Sequence, residues 1–234
     1  MSARSDLDGV ERSEVPPVRL TDQQKAFFDT FGFLRLPGLF ADDIEVLTRE
    51  FEKVFEQQAP WESREALHFN DRRLIVPGFI DHSPILHGLL ADPRVVGTVS
   101  SLIGDEYVDG ESDGSLFYCD TSWHPDTFGS PLERYHVKLS FYLDPLHGAN
   151  GAIRMLPGTN FHHTPYAELL RDKLSDPAAI EDTFGVAPDE LPSWTLESEP
   201  GDVVAWDFRT IHASFNGDER RRLFSLNFKE PLPA

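Results

Sequence analysis

Apolar residues recur at helical spacing over the first part of the chain and in short alternating runs after Gly104. The stretch TDQQKAFFDTFG opens with Thr21, a residue suited to cap a helix, and closes with Gly32, a residue suited to end one. Phe27, Phe28 and Phe31 are expected to cluster on one side of it. GFLRLPG then reads as a short strand stopped by Pro37-Gly38. Asp42-Asp43 opens a second helix, whose apolar face is Ile44, Leu47, Phe51, Val54 and Phe55 and whose end falls near Gln58. Ser83-Pro84 and Asp92-Pro93 each pair a capping residue with a proline at the first helical position, predicting two further short helices, the second closed by Gly104.

Beyond Gly104 the runs are SLFYCDTSWH, RYHVKLSFYLD, GAIRMLP, DVVAWDF and RRLFSLNF, rich in β-branched and aromatic residues and separated by Gly, Pro, Asn and Asp. A helical insert, YAELLRDKL, and an acidic loop interrupt them between Pro165 and Pro192. Helices followed by short strands predict an α+β chain whose strands form a sandwich or jelly-roll barrel, with the early helices on one outer face. No repeat and no internal boundary is visible. Residues 20–234 therefore read as one domain, preceded by a charged arm over 1–19 that is expected to be mobile.

Charge narrows the partners. Lys+Arg 21 against Asp+Glu 40 gives a net charge of −19 over 234 residues. That leaves no basic excess for phosphates and argues against nucleic acid and anionic membranes as partners. The single cysteine, Cys119, cannot form an intrachain disulfide. No apolar run approaches the roughly 20 residues of a membrane helix, and the first 20 residues show no signal peptide. The expectation is a soluble, cytoplasmic globular protein.

Three groups carry candidate chemistry. His124-Pro125-Asp126 ends an aromatic strand, where residues two apart share a face and can meet one ion; a strand end with a surface ion pair is the ordinary alternative. His212 closes an apolar run before a turn, as a ligand or as a satisfied core histidine. Two histidines and one carboxylate form the facial set that suits non-haem Fe(II) and leaves positions open. The third group is RRRLFSLNF, in which alternation puts Arg221, Leu223 and Ser225 on one face and Arg222, Phe224 and Leu226 on the other. If this strand pairs beside the His212 strand, one guanidinium projects into the barrel and matches a carboxylate. Otherwise the arginines are a surface cluster facing Asp218 and Glu219.

In the order His-x-Asp, distal His, then Arg, the chain resembles the phytanoyl-CoA dioxygenase family. LTDQQKAFFDTFGFLRLPGLF resembles that family's opening helix and strand, NGAIRMLPGTN its hairpin, and PGDVVAWDFRTIHAS its approach to the distal histidine. Together these span residues 20–228. The resemblance implies a double-stranded β-helix (a cupin-like jelly roll) and a dependence on Fe(II), 2-oxoglutarate and O2. It implies His124, Asp126 and His212 as iron ligands and Arg221 as the anchor of the far carboxylate of 2-oxoglutarate, with Arg222 as the nearest rival. Ser214 and Thr121 would help hold that co-substrate. The hairpin departs from the pattern at Asn160, where relatives often carry histidine, and His162 and His163 lie just beyond. Asp126 stands where halide-binding relatives have a small residue, which favours hydroxylation of an unactivated C–H bond.

Phe117, Tyr118, Trp123, Phe128, Tyr142 and Trp206 are candidates to face a substrate, or to pack a core. Lys138, inside an apolar run, reads as lying on a solvated face or, as the second choice, pointing at an anion. WESREALHFNDRRLIVPGF could cover the site as a lid. The same oxidant could instead desaturate, epimerise or cyclise its substrate, and a non-enzymatic barrel that binds a ligand or metal is the remaining alternative.

Overall fold

Thr21 and Gln24 start the first helix by exchanging hydrogen bonds: Gln24 N–H donates to Thr21 Oγ1 (3.2 Å) and Thr21 N–H to Gln24 Oε1 (2.9 Å). The computed structural model describes residues 18–59, 73–127, 132, 134–161, 164–174, 176–217 and 219–232. Residues 1–17 of the expected arm, 61–72 of the expected lid, Phe128, His162 and His163 lie outside the described residues.

The first helix, α1 (Asp22–Phe31), ends at Gly32 in the left-handed conformation, φ 83°. Its phenylalanines do not share a face. Phe28 is buried, whereas Phe27 and Phe31, one turn apart, pair at the surface with ring centroids 4.7 Å apart. A 3-10 turn, Ala41–Asp43, leads into α2 (Ile44–Gln58), which buries Leu47, Phe51, Val54 and Phe55 as expected. Ser83 and Asp92 cap α3 (Pro84–His87) and α4 (Pro93–Ile103). Ser83 also donates to Glu50 Oε2 at 2.7 Å, satisfying a carboxylate buried on the apolar face of α2.

Among the described residues ten strands follow or flank these helices: β1 (Phe33–Leu36), β2 (Arg73–Pro77), β3 (Val108–Phe117), β4 (Thr121–His124), β5 (His136–Tyr142), β6 (Ile153–Met155), β7 (Trp194–Leu196), β8 (Val203–Asp207), β9 (His212–Ser214) and β10 (Arg221–Lys229). They make two antiparallel sheets, β1-β8-β5-β10-β3-β2 and β4-β9-β6-β7. The fold is a jelly-roll double-stranded β-helix. Val137, Leu139 and Phe141 of β5 and Phe224, Leu226 and Phe228 of β10 turn outward to α2, α3 and α4, so the N-terminal helices do cover one outer face. Phe141 and Phe224 stack with centroids 4.6 Å apart. The insert folds as α5 (Pro165–Arg171) and α6 (Pro177–Phe184), and its Leu170 and Ile180 pack with Trp123, Ile211 and Ala213 of the smaller sheet. Among the described residues no helix is long and apolar enough to cross a membrane.

Three strands depart from the sequence expectation. β2 occupies the end of the segment read as a lid, and β7 lies just beyond Pro192, where the sequence predicts no strand. β3 runs through the strand-poor sequence VDGESDG because β10 pairs along that stretch, joined by β2 only from Asp113 onward. Gly114 has a packing reason there: a Cβ would sit 2.1 Å from the Phe79 ring.

Candidate active site

Pairing of β4 with β9 sets His124 opposite His212 and Thr121 opposite Ser214, so three steps on β4 match two on β9. This is a bulge. Simple alternation turns Thr121 away from His124; the bulge brings both to the inner side of the barrel. Trp123 points outward instead, into the insert, where its indole N–H donates to Pro188 O at 2.7 Å.

Ligand-type atoms of His124, Asp126 and His212 all lie within 4.8 Å of one another. The imidazole centroids are 4.4 Å apart, and His212 Nε2 is 3.7 Å from Asp126 Oδ1. Each imidazole sets its Nδ1 against a backbone carbonyl two residues upstream, His124 against Ser122 O (2.7 Å) and His212 against Thr210 O (3.0 Å). A carbonyl only accepts, so Nδ1 carries the proton and Nε2 is the nitrogen that keeps the lone pair. Burial pushes His212 down to about 4, which keeps it neutral near pH 7.

Asp126 Oδ2 receives Lys138 Nζ at 3.0 Å and the Trp206 indole N–H at 2.9 Å. Burial opposes the carboxylate charge, but Lys138, His212 and the Trp206 hydrogen bond outweigh it and hold Asp126 at about 2. Lys138 is thus not on a solvated face. It occupies the inner face of β5, because alternation with the outward Val137 and Leu139 leaves it no other side.

Arg221 completes the site from the other sheet. β10 does not pair beside β9; it lies between β3 and β5. The guanidinium crosses the interior, where Nη1 donates to Ser214 Oγ (2.7 Å) and Gly151 O (2.8 Å) and Nη2 to Cys119 O. Ser214 Oγ is 2.9 Å from Thr121 Oγ1. Arg221 is buried, and among the described residues its Nε has no partner and no carboxylate pairs with it. A buried guanidinium in that state favours an anion beside it. Arg222 faces the opposite way, toward Asp144 (2.6 Å) and Glu52 (2.9 Å).

Gly151 had no place among the residues read from sequence as functional, although the NG of NGAIRMLPGTN marked it. Its φ is 92°, and a Cβ there would lie 2.8 Å from Arg221 Nε. Asn160 is buried and donates to Asp29 O at 3.2 Å, so it secures α1 rather than the site. Of the aromatic candidates, Tyr142 and Trp206 face the interior and Phe117 lies 5.6 Å from the Arg221 guanidinium. Tyr118 packs on the helical layer and Trp123 on the insert, so neither lines the interior.

The family model of phytanoyl-CoA dioxygenase matches residues 28–223. The chain belongs to this family. It is 25% identical over 228 residues to the ectoine dioxygenase of Bordetella parapertussis (strain 12822 / ATCC BAA-587 / NCTC 13253), covering 83% of this chain and 70% of that protein. It is 26% identical over 219 residues to the 2-aminoethylphosphonate dioxygenase of uncultured bacterium HF130_AEPn_1, covering 87% of this chain and 80% of that one. HygX from Streptomyces hygroscopicus, with nickel and 2-oxoglutarate bound, superposes with a TM-score of 0.71 at 18% identity over 91% of this chain and 88% of its own. The α-ketoglutarate-dependent carbocyclase SnoK from nogalamycin biosynthesis gives 0.69 at 18% identity, over 92% and 87%. These likenesses establish the fold.

Proposed function

We propose that the chain is an Fe(II)- and 2-oxoglutarate-dependent oxygenase that hydroxylates an unactivated C–H bond of a small molecule, releasing succinate and carbon dioxide. The observation that carries this reading is the meeting of two imidazoles and one carboxylate with a buried guanidinium that no carboxylate among the described residues pairs with, in the same interior. The donor set fits Fe(II): two Nε2 atoms and one carboxylate oxygen leave positions for a bidentate co-substrate and O2. In this reading His124, Asp126 and His212 hold the iron, which when bound supplies the oxidising chemistry. Arg221 takes the far carboxylate of 2-oxoglutarate, Ser214 adds a hydroxyl to it, and Thr121 orients that hydroxyl. Tyr142 and Trp206 close the interior against water. The names of the ectoine and 2-aminoethylphosphonate dioxygenases agree with this class.

Anaerobic addition of Fe(II) and 2-oxoglutarate should produce the weak visible charge-transfer band of the chelate, and His124→Ala should abolish it. A wild-type protein with neither band nor succinate formation would defeat the proposal in favour of a non-catalytic barrel. Product mass then fixes the outcome: hydroxylation adds one oxygen, desaturation removes two hydrogens, and epimerisation leaves mass unchanged.

A further inference from the structure

Asp126 lies beyond the end of β4, so no strand ladder fixes its side chain. Two donors do. Lys138 and Trp206 are register partners across the β5–β8 ladder at the centre of the larger sheet, and both reach the same atom, Asp126 Oδ2, at 3.0 and 2.9 Å. The lysine is buried along its stem, with its ammonium 5.5 Å from the Trp206 ring and 5.3 Å from the Phe208 ring. The other oxygen, Oδ1, is turned to His212.

We propose that Lys138 and Trp206 are positioning residues that withhold Oδ2 from the metal, so that Asp126 ligates through one oxygen and three positions stay open for 2-oxoglutarate and O2. This rests on Asp126 being a ligand, as read above. A carboxylate has two oxygens and can chelate. An ion held by both oxygens of Asp126 loses one of the positions that a bidentate co-substrate needs. Two hydrogen bonds from a rigid sheet, one of them charged, oppose that rotation. Removing the lysine takes a positive charge away from a cation site and frees Oδ2. Metal binding is therefore not weakened, while 2-oxoglutarate binding to the metal form is.

The test measures two affinities in the full chain: that for Mn(II), from free Mn(II) by electron paramagnetic resonance, and that of the Mn(II) form for 2-oxoglutarate, by calorimetry. Lys138→Met should bind Mn(II) at least as tightly as wild type and 2-oxoglutarate at least about ten-fold more weakly. Lys138→Arg should restore the co-substrate. Trp206→Phe, which removes only the indole N–H, should show the same split at about five-fold, and it decides the matter if Lys138→Met does not fold. Parallel loss of both affinities, or no change in either, overturns the proposal. A wild-type chain that binds no Mn(II) overturns the ligand reading itself.

Discussion

Arg221 donates to Ser214 Oγ at 2.7 Å from a strand of the opposite sheet. The proposed anion-binding end of the site is therefore built by both layers of the barrel, whereas Arg222, one residue on, faces away, to Asp144 and Glu52. Arg221→Met should raise the 2-oxoglutarate KM by about 100-fold or more, since a charge-assisted bidentate contact is worth roughly 3 kcal/mol. Arg222→Met should leave that KM unchanged and lower unfolding stability by roughly 2 to 4 kcal/mol, as expected for one partner removed from a largely buried pair. Co-substrate titrations and urea unfolding of the two variants separate these roles. Equal KM effects would refute the division.

Gly151→Ala is expected to act on the same anchor from behind. The new methyl meets the guanidinium, and the backbone is held at φ 92°. We expect weaker 2-oxoglutarate binding with iron binding retained. A variant that binds both as wild type would show that Arg221 moves without consequence.

Acid should weaken the metal-free protein in a defined window. His212 is held at about 4 in the fold against 6.5 when unfolded, so between these values the unfolded chain binds the extra proton. Stability therefore falls as pH drops from about 6.5 to about 4, by about 3 kcal/mol in all. The stabilisation from Asp126 persists until lower pH and is lost from about 3.8 toward about 2. Urea midpoints at pH 7, 5.5 and 4.5 should slope downward for the wild type and be flatter for His212→Asn; equal slopes would contradict the assignment.

Asp113 has its carboxyl pushed up, chiefly by burial, and its hydrogen bond comes from Ser115 at 3.2 Å. Its ionisation thus opposes folding as pH rises through the carboxylate range. Asp113→Asn should melt higher than wild type at pH 7, with the gain shrinking by pH 4. A gain independent of pH would assign the effect to packing instead.

Sequence carried most of the frame and part of the site. Caps at Thr21, Ser83 and Asp92 and the face of α2 were legible because they follow local rules. The grouping of His124, Asp126 and His212 was legible from order and side-chain type. The burial of Lys138 was not, because its partner Asp126 arrives from the other sheet and leaves no local pattern. Thr121 shares the inner side with His124 only through a bulge, which alternation cannot forecast. The strand identity of VDGESDG comes from pairing with β10, and with β2 at its end, rather than from its own propensity. The expected single cluster of Phe27, Phe28 and Phe31 splits, with Phe28 buried and the other two paired at the surface, because spacing alone does not tell a buried stripe from an exposed one.

β4 is four residues long and stands at the margin of its sheet with a single neighbour, yet it delivers the chain to His124 and Asp126. Such a border strand frays first, and an ion gripping its end against His212 would act as the clasp that shuts it. Iron supply would then govern how long the barrel resists proteolysis as well as how fast it turns over. In metal-poor protein the first nick is expected close to β4, and loading with a redox-inert ion should suppress it.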